Sequence, residues 1–203
     1  TARDLALLVR ALRTEFRQYS GYFSIEGLRF GAKVLENHNM LIGRFEGADG
    51  MKTGFICAAG FNLIATATRG RRSLAAIVLG AFSPVERAEK AAELLERGFD
   101  RWGVMAPTLA SLRPSSSSPD RHVATDLRSQ ICTAEAYERR AKLRDDEGHY
   151  IFTSPHVQPM TREPRLVTVG LERVETPPRY ADVPIPTPRP DYPPRTLSAG
   201  QGG

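Results

Sequence analysis

The stretch Gly47-Ala48-Asp49-Gly50-Met51-Lys52-Thr53-Gly54-Phe55-Ile56-Cys57-Ala58-Ala59-Gly60 decides how the rest of this chain is read. From Met51 it has the composition of a strand, and Ala59-Gly60-Phe61 supplies a turn. Two more apolar stretches follow, separated by Arg69-Gly70-Arg71-Arg72. Strands are expected over residues 51–59, 62–69 and 73–81. The links between them are too short for anything but antiparallel hairpins, because a parallel return needs a crossover of about a dozen residues or more.

Helices are expected on both sides of this core. Residues 2–16 place Leu5, Leu8, Val9 and Leu12 on one helical face, with Thr1 or the residue before it as the cap. Residues 84–101 repeat the period through Ala88, Ala91, Leu94, Leu95 and Phe99, with Ser83 as the cap and Pro84 tolerated in the first turn. Residues 22–30 read as a short strand pair and 37–41 as a loop. The fold class is α/β in the α+β sense, an antiparallel sheet flanked by helices.

Lys52-Thr53-Gly54 has the chemistry to hold a carboxylate-bearing peptide in an acyl-transfer site. Lysine supplies charge, threonine a hydroxyl donor, and glycine lets a substrate backbone lie close against the strand. Around it stand Thr1-Ala2-Arg3-Asp4-Leu5-Ala6, Asn37-His38-Asn39-Met40-Leu41, Ala58-Ala59-Gly60, Ile77-Val78-Leu79-Gly80 and Arg87. In order and spacing these pieces resemble the second half of the catalytic domain of the low-molecular-mass penicillin-binding proteins, the serine-type D-alanyl-D-alanine carboxypeptidases. The resemblance implies part of the β-lactamase/transpeptidase-like fold. It also implies binding of the terminal carboxylate by Lys52, Thr53 and Gly54, and an oxyanion-hole donor in the backbone N–H of Phe55. Asn37 and Asn39 are expected to hold structure rather than take part in catalysis.

The family's nucleophile pair, Ser-x-x-Lys, is absent from these 203 residues. Three residues before Lys33, Lys52, Lys90 and Lys142 stand Phe30, Asp49, Arg87 and Arg139. Ser-x-Asn is absent too, since Leu35, Asn37 and Gly60 stand two residues before Asn37, Asn39 and Asn62. The simplest expectation is a piece of a longer carboxypeptidase, inactive alone, in a periplasmic or cell-envelope setting. The alternative is a non-catalytic envelope protein that retains a stem-peptide groove. The resemblance implies peptidoglycan stem peptides as substrate, β-lactams as inhibitors of the intact enzyme, and no cofactor.

Composition bounds the remaining classes. The formal charge is +5 and the sequence pI about 9.5, yet the arginines are scattered and frame no recognition motif, which argues against nucleic acid. The longest apolar stretch, residues 74–82, is about half of what a bilayer requires, and no anchor is evident. His38, His122, His149 and His156 show no ligand spacing. Cys57 and Cys132 allow one disulfide, although a small buried thiol is the commoner reading for Cys57. By composition the chain divides into 1–103, the core piece; 104–119, a Ser/Pro linker; and 120–203. That last part reads as a charged helix near 120–146 followed by a proline-rich tail.

Overall fold

The structure, a computed structural model, describes residues 1–101, 108–111 and 125–170. The expected Ser/Pro linker falls largely, and the proline-rich tail wholly, outside the described residues.

Helix α1 spans Ala2–Thr14 and opens with a capping box, Thr1 and Asp4 each bonding the other's backbone N–H. A 3-10 segment, Arg17–Ser24, follows. Strands β1 (Gly27–Phe30) and β2 (Lys33–Glu36) form an antiparallel hairpin, so the expected strand pair lies later than residues 22–30. Gly31 in its two-residue link has φ +57°, a conformation glycine adopts without steric cost.

Strands β3 (Ala48–Ile56), β4 (Gly60–Arg69) and β5 (Arg72–Ala81) form the expected antiparallel sheet in the order β3-β4-β5. Helix α2, Pro84–Asp100, covers one face, with the Ser83 hydroxyl accepting from Glu86 N at 2.9 Å. Small residues set this contact. Ala65, Ala67 and Ala76 of the sheet meet Ala88, Ala91 and Ala92 of the helix, with Leu63, Leu95 and Phe99 filling the space between. Arg69 closes the far end. It pairs with Glu96 through two bonds of 2.8 and 2.9 Å, and its guanidinium lies over the rings of Phe45 and Phe99.

Two expected core positions are corrected. Leu8 and Leu94 remain exposed, because the buried stripes centre on Ala6 and Val9 in α1 and on Ala88, Ala91, Leu95 and Phe99 in α2.

The composition shift after Trp102 does not mark the end of the compact unit, which runs over Thr1–Gly170. The charged segment forms two short helices instead of one, α3 (Arg128–Ile131) and α4 (Ala134–Ala141), and Thr133 caps the second. Val157, Tyr150 and Phe152 pack on the main core, and Ile131 joins Phe61 and Ala81 in a smaller one. Strand β6, Leu166–Val169, adds in parallel to β1 and gives a second sheet of order β2-β1-β6. Glu26 pins this join by accepting from both terminal nitrogens of Arg162, at 2.7 and 2.8 Å, and from Arg165 N at 2.7 Å. These contacts use single apolar residues set among charges, which leave no periodic trace in the sequence.

Cys57 and Cys132 are joined as a disulfide across 75 residues of sequence, and Cys57 is only partly buried. This corrects the buried-thiol reading. In the chain-entropy account, closing a loop of that length removes about 4 kcal/mol of unfolded-state freedom.

Candidate substrate-binding site

In the sheet order β3-β4-β5, strand β3 pairs with β4, and among the described residues no strand pairs with its other edge. Near Gly50 the strand is covered. A Cβ there would come within 2.8 Å of the Thr66 hydroxyl and 3.2 Å of Phe23. Beyond Met51 the cover ends, and Lys52, Gly54, Phe55 and Ile56 are exposed with Thr53 half-buried between them.

Lys52 Nζ donates to the Thr53 carbonyl at 2.8 Å and, among the described residues, makes no ion pair. Two of its three N–H bonds remain for an incoming group. Gly54 is informative by contrast with its neighbours. A Cβ there would meet only Asn62 Cβ, at 3.9 Å, so the fold itself does not require glycine at this position. Phe55 stacks on Phe61 of β4 with centroids 4.2 Å apart.

Beneath the motif lies Arg87 of α2, 6% exposed. Its Nη1 donates to Gly54 O (3.4 Å) and Asn62 O (3.3 Å), and its Nη2 to His38 O (3.1 Å). Burial pulls the guanidinium below the ordinary arginine pKa, with Tyr150 opposing that shift. In a trans peptide unit the carbonyl of one residue and the N–H of the next point in opposite directions. With Gly54 O drawn toward Arg87, the Phe55 N–H is turned away from it.

Two asparagines tie the preceding loop to β3. Buried Asn39 donates to Gly50 O at 3.0 Å and accepts from Leu41 N at 3.1 Å. Asn37 donates to Ile25 O and accepts from Asn39 N, both at 2.8 Å. The role expected from the sequence, structural hydrogen bonding, is the one these contacts describe.

Sequence reasoning missed the network that fixes the start of β3. Asp49 accepts from Arg13 at 2.9 and 3.0 Å, from Thr66 Oγ1 at 2.6 Å and from Thr68 Oγ1 at 2.7 Å. Burial opposes ionisation, but Arg13 and the two hydroxyls outweigh it and hold the carboxyl below its ordinary range. The alternation Thr66-Ala67-Thr68 was the available signal, since it places both hydroxyls on one face of a strand. Also missed was the neighbour of the motif's far end. Leu127 N donates to Ala58 O at 3.0 Å, and the Arg140 guanidinium lies 5.5 Å from the Phe61 centroid. One of the four histidines has carboxylates at ligand spacing, since ligand atoms of Asp145, Glu147 and His149 lie within 4.8 Å of one another. They are exposed, however, and Asp145 Oδ1 already accepts from the backbone N–H groups of Glu147 and His149.

Residues 1–83 match the family model described as D-alanyl-D-alanine carboxypeptidase. D-alanyl-D-alanine carboxypeptidase DacD of Escherichia coli K12 is 39% identical over 104 residues, 51% of this chain and 26% of that protein. DacA of the same strain is 28% identical over 176 residues, 85% of this chain and 43% of that protein. The chain thus spans well under half the length of these curated relatives. Among solved structures, penicillin-binding protein 5 from Haemophilus influenzae is 29% identical, with a TM-score of 0.46 over 49% of this chain and 29% of that one. The ampicillin-bound form of penicillin-binding protein D2 from Listeria monocytogenes is 33% identical, with a TM-score of 0.43 over 46% of this chain and 38% of that one. Residues 1–83, which hold α1 and the strands β3, β4 and β5, are thus the part of this chain that is similar to the D-alanyl-D-alanine carboxypeptidase family.

Proposed function

We propose that this chain supplies the carboxylate-binding edge of a serine-type D-Ala-D-Ala carboxypeptidase that trims peptidoglycan stem peptides in the periplasm. The observation that carries the reading is Lys52-Thr53-Gly54 on the edge of β3 that no strand pairs among the described residues, with Lys52 and Gly54 exposed and a glycine that the fold itself does not need. The stem peptide adds alongside β3. Lys52 and the Thr53 hydroxyl take its terminal carboxylate, and Gly54 admits its backbone. The Phe55 N–H, turned outward by Arg87, meets the carbonyl oxygen of the penultimate D-alanine and stabilises the negative charge that develops there.

The nucleophile comes from residues outside these 203. A serine Oγ adds to the carbonyl carbon while the lysine three residues on takes its proton. The C–N bond then breaks, and D-alanine leaves with that proton on its nitrogen. Water next hydrolyses the acyl-enzyme ester, releasing the shortened stem and restoring the serine. β-Lactams acylate the same serine, in keeping with the ampicillin-bound relative. No metal or organic cofactor enters this scheme.

A second reading keeps the groove without the chemistry, as a non-catalytic envelope protein that binds stem peptides. The absence of Ser-x-x-Lys beside an intact clasp favours it. Labelling with a fluorescent penicillin separates the two when run on this chain and on the product of its gene extended upstream. The carboxypeptidase reading expects label on the extended product alone. Label on neither product supports the binding protein, and label on the 203-residue chain itself overturns the assignment of the nucleophile to other residues.

A further inference from the structure

A groove between the second sheet and the loop that precedes β3 plays no part in the carboxypeptidase reading. Its volume is about 690 Å³, within the range of small-molecule sites. Three arginines, Arg44, Arg162 and Arg165, line it together with two carboxylates, Glu26 and Glu46. Both carboxylates are engaged. Glu26 accepts two bonds from Arg162 and one from Arg165 N, and Glu46 lies 3.7 Å from Arg69. Arg165 is exposed and Arg44 half-buried, and among the described residues neither guanidinium makes a hydrogen bond or an ion pair. The groove therefore carries positive charge that no side chain matches.

One wall of the groove continues as an apolar surface. Leu28 of β1 is paired with Leu35 of β2 and Val167 of β6, and Phe30 with Val169, so these five side chains share one face of the sheet. Phe30, Leu35, Val167 and Val169 are 40% to 48% exposed. Val167 belongs to both surfaces, since it also lines the groove with Arg165. Lys33, opposite Phe30, adds a cation to the same face. Guanidinium groups suit the oxygens of a phosphate, and an apolar strip that begins beside them suits a hydrocarbon chain. We propose that this groove binds a phosphate-bearing amphiphile, with the phosphate held by Arg44 and Arg165 and the hydrocarbon part laid over Val167 toward Leu28 and Leu35. The site is separate from the carboxylate clasp, because the groove reaches β3 only at Ala48, and Phe23 covers the strand at Gly50.

The test uses the full 203-residue chain and lipids below their micelle concentration. Isotope-labelled protein is titrated with dihexanoyl phosphatidylglycerol, with glycerophosphoglycerol, which is the same headgroup without chains, and with dihexanoyl phosphatidylcholine. Binding is read from the backbone amide shifts of residues 43–47 and 165–169. The anionic lipid is expected to bind about tenfold tighter than either of the other two. Arg44→Gln and Arg165→Gln are each expected to weaken its binding about fivefold or more. Val167→Thr is expected to weaken it about threefold and to leave glycerophosphoglycerol unaffected. Arg165 and Val167 are exposed, so their variants test the site even where Arg44→Gln unfolds. Equal binding of phosphatidylcholine overturns the phosphate contact, and equal binding of glycerophosphoglycerol overturns the apolar strip. Affinity for the anionic lipid that survives both arginine substitutions overturns the site, as does binding of none of the three compounds. Shifts of residues 28–35 that depend on protein concentration without any lipid would assign the apolar face to a second copy of the chain and overturn the proposal.

Discussion

The Arg87 guanidinium reaches the Gly54 carbonyl oxygen at 3.4 Å from inside the sheet–helix interface, and this contact links the core to the exposed motif. The same side chain holds Asn62 O and His38 O, so one buried residue ties together β3, β4 and the loop that precedes them. No carboxylate is among these partners, and the charge is spread over three carbonyl dipoles and the face of Phe61.

Arg87→Ala is therefore expected to leave three carbonyls short of a partner and a void beside Phe61, costing about 3 kcal/mol in urea unfolding. Arg87→Lys is expected to recover less than half of that loss, because a single ammonium cannot span acceptors on three elements. Equal stability of Arg87→Ala and the unaltered chain would remove Arg87 from any organising role.

Gly54 and Gly60 lie on the same hairpin and are expected to respond in opposite ways. At Gly60 φ is +67° and a Cβ would approach Ala81 O to 2.8 Å, so Gly60→Ala should destabilise the chain by about 2 kcal/mol or more. At Gly54 a Cβ meets only an ordinary contact, so Gly54→Ala should leave thermal unfolding unchanged. It should nevertheless weaken binding of Nα-acetyl-D-Ala-D-Ala by about tenfold or more, because a methyl occupies the approach of the peptide backbone. Loss of stability in Gly54→Ala would show that the glycine serves the fold.

The acid limb of stability should report two carboxylates. Asp49 is held below its ordinary value near 3.8, and Glu26 is lowered from 4.5 to about 2, first by its hydrogen bond to Arg162. Both pKa values are depressed in the folded state, so their contributions are complete above the unfolded values. They are lost as pH falls through the folded ones. Stability should hold down to about pH 5 and then decline toward pH 2. Asp49→Asn should lower stability at pH 7 by about 2 kcal/mol and flatten the decline, whereas Glu26→Gln should act more weakly because Arg162 is 43% exposed. An Asp49→Asn profile parallel to that of the unaltered chain would remove the carboxylate from the acid transition.

The first hundred residues were legible because their apolar residues recur at regular spacing on long elements. The hairpin links Ala59-Gly60-Phe61 and Arg69-Gly70-Arg71-Arg72, the Ser83 cap and the α2 stripe each predicted the element found, within a few residues. The motif tripeptide drew attention by its chemistry, and the fold places it on β3, an edge strand among the described residues. What escaped was contact between distant pieces. Arg13 reaches Asp49 across 36 residues and Arg162 reaches Glu26 across 136, and neither pairing leaves a local pattern. β6 was lost for a related reason, since four residues beside a proline-rich stretch carry too little periodicity to declare a strand. The disulfide was only one of the states open to two cysteines, and what brings Cys132 to Cys57 is a small cluster in which Ile131, Leu127 and Cys132 pack with Phe61 and Ala81.

Reduction should separate the contribution of that disulfide from the contribution of packing. If the bridge acts mainly on the unfolded chain, dithiothreitol should lower the melting temperature by on the order of 10 °C, matching about 4 kcal/mol for a chain of this size. Secondary structure measured by circular dichroism at 20 °C should remain, because β3, β4, β5 and α2 form their core through residues that the bridge does not touch. Hydrogen exchange should localise the change. Amides of residues 127–141 and of the β3–β4 turn should exchange faster on reduction, while those of residues 63–67 keep their protection. A melting temperature insensitive to reduction, in protein whose thiols are verified free, would mean that Ile131, the bond from Leu127 N to Ala58 O and the Arg140 stack hold the segment without covalent help.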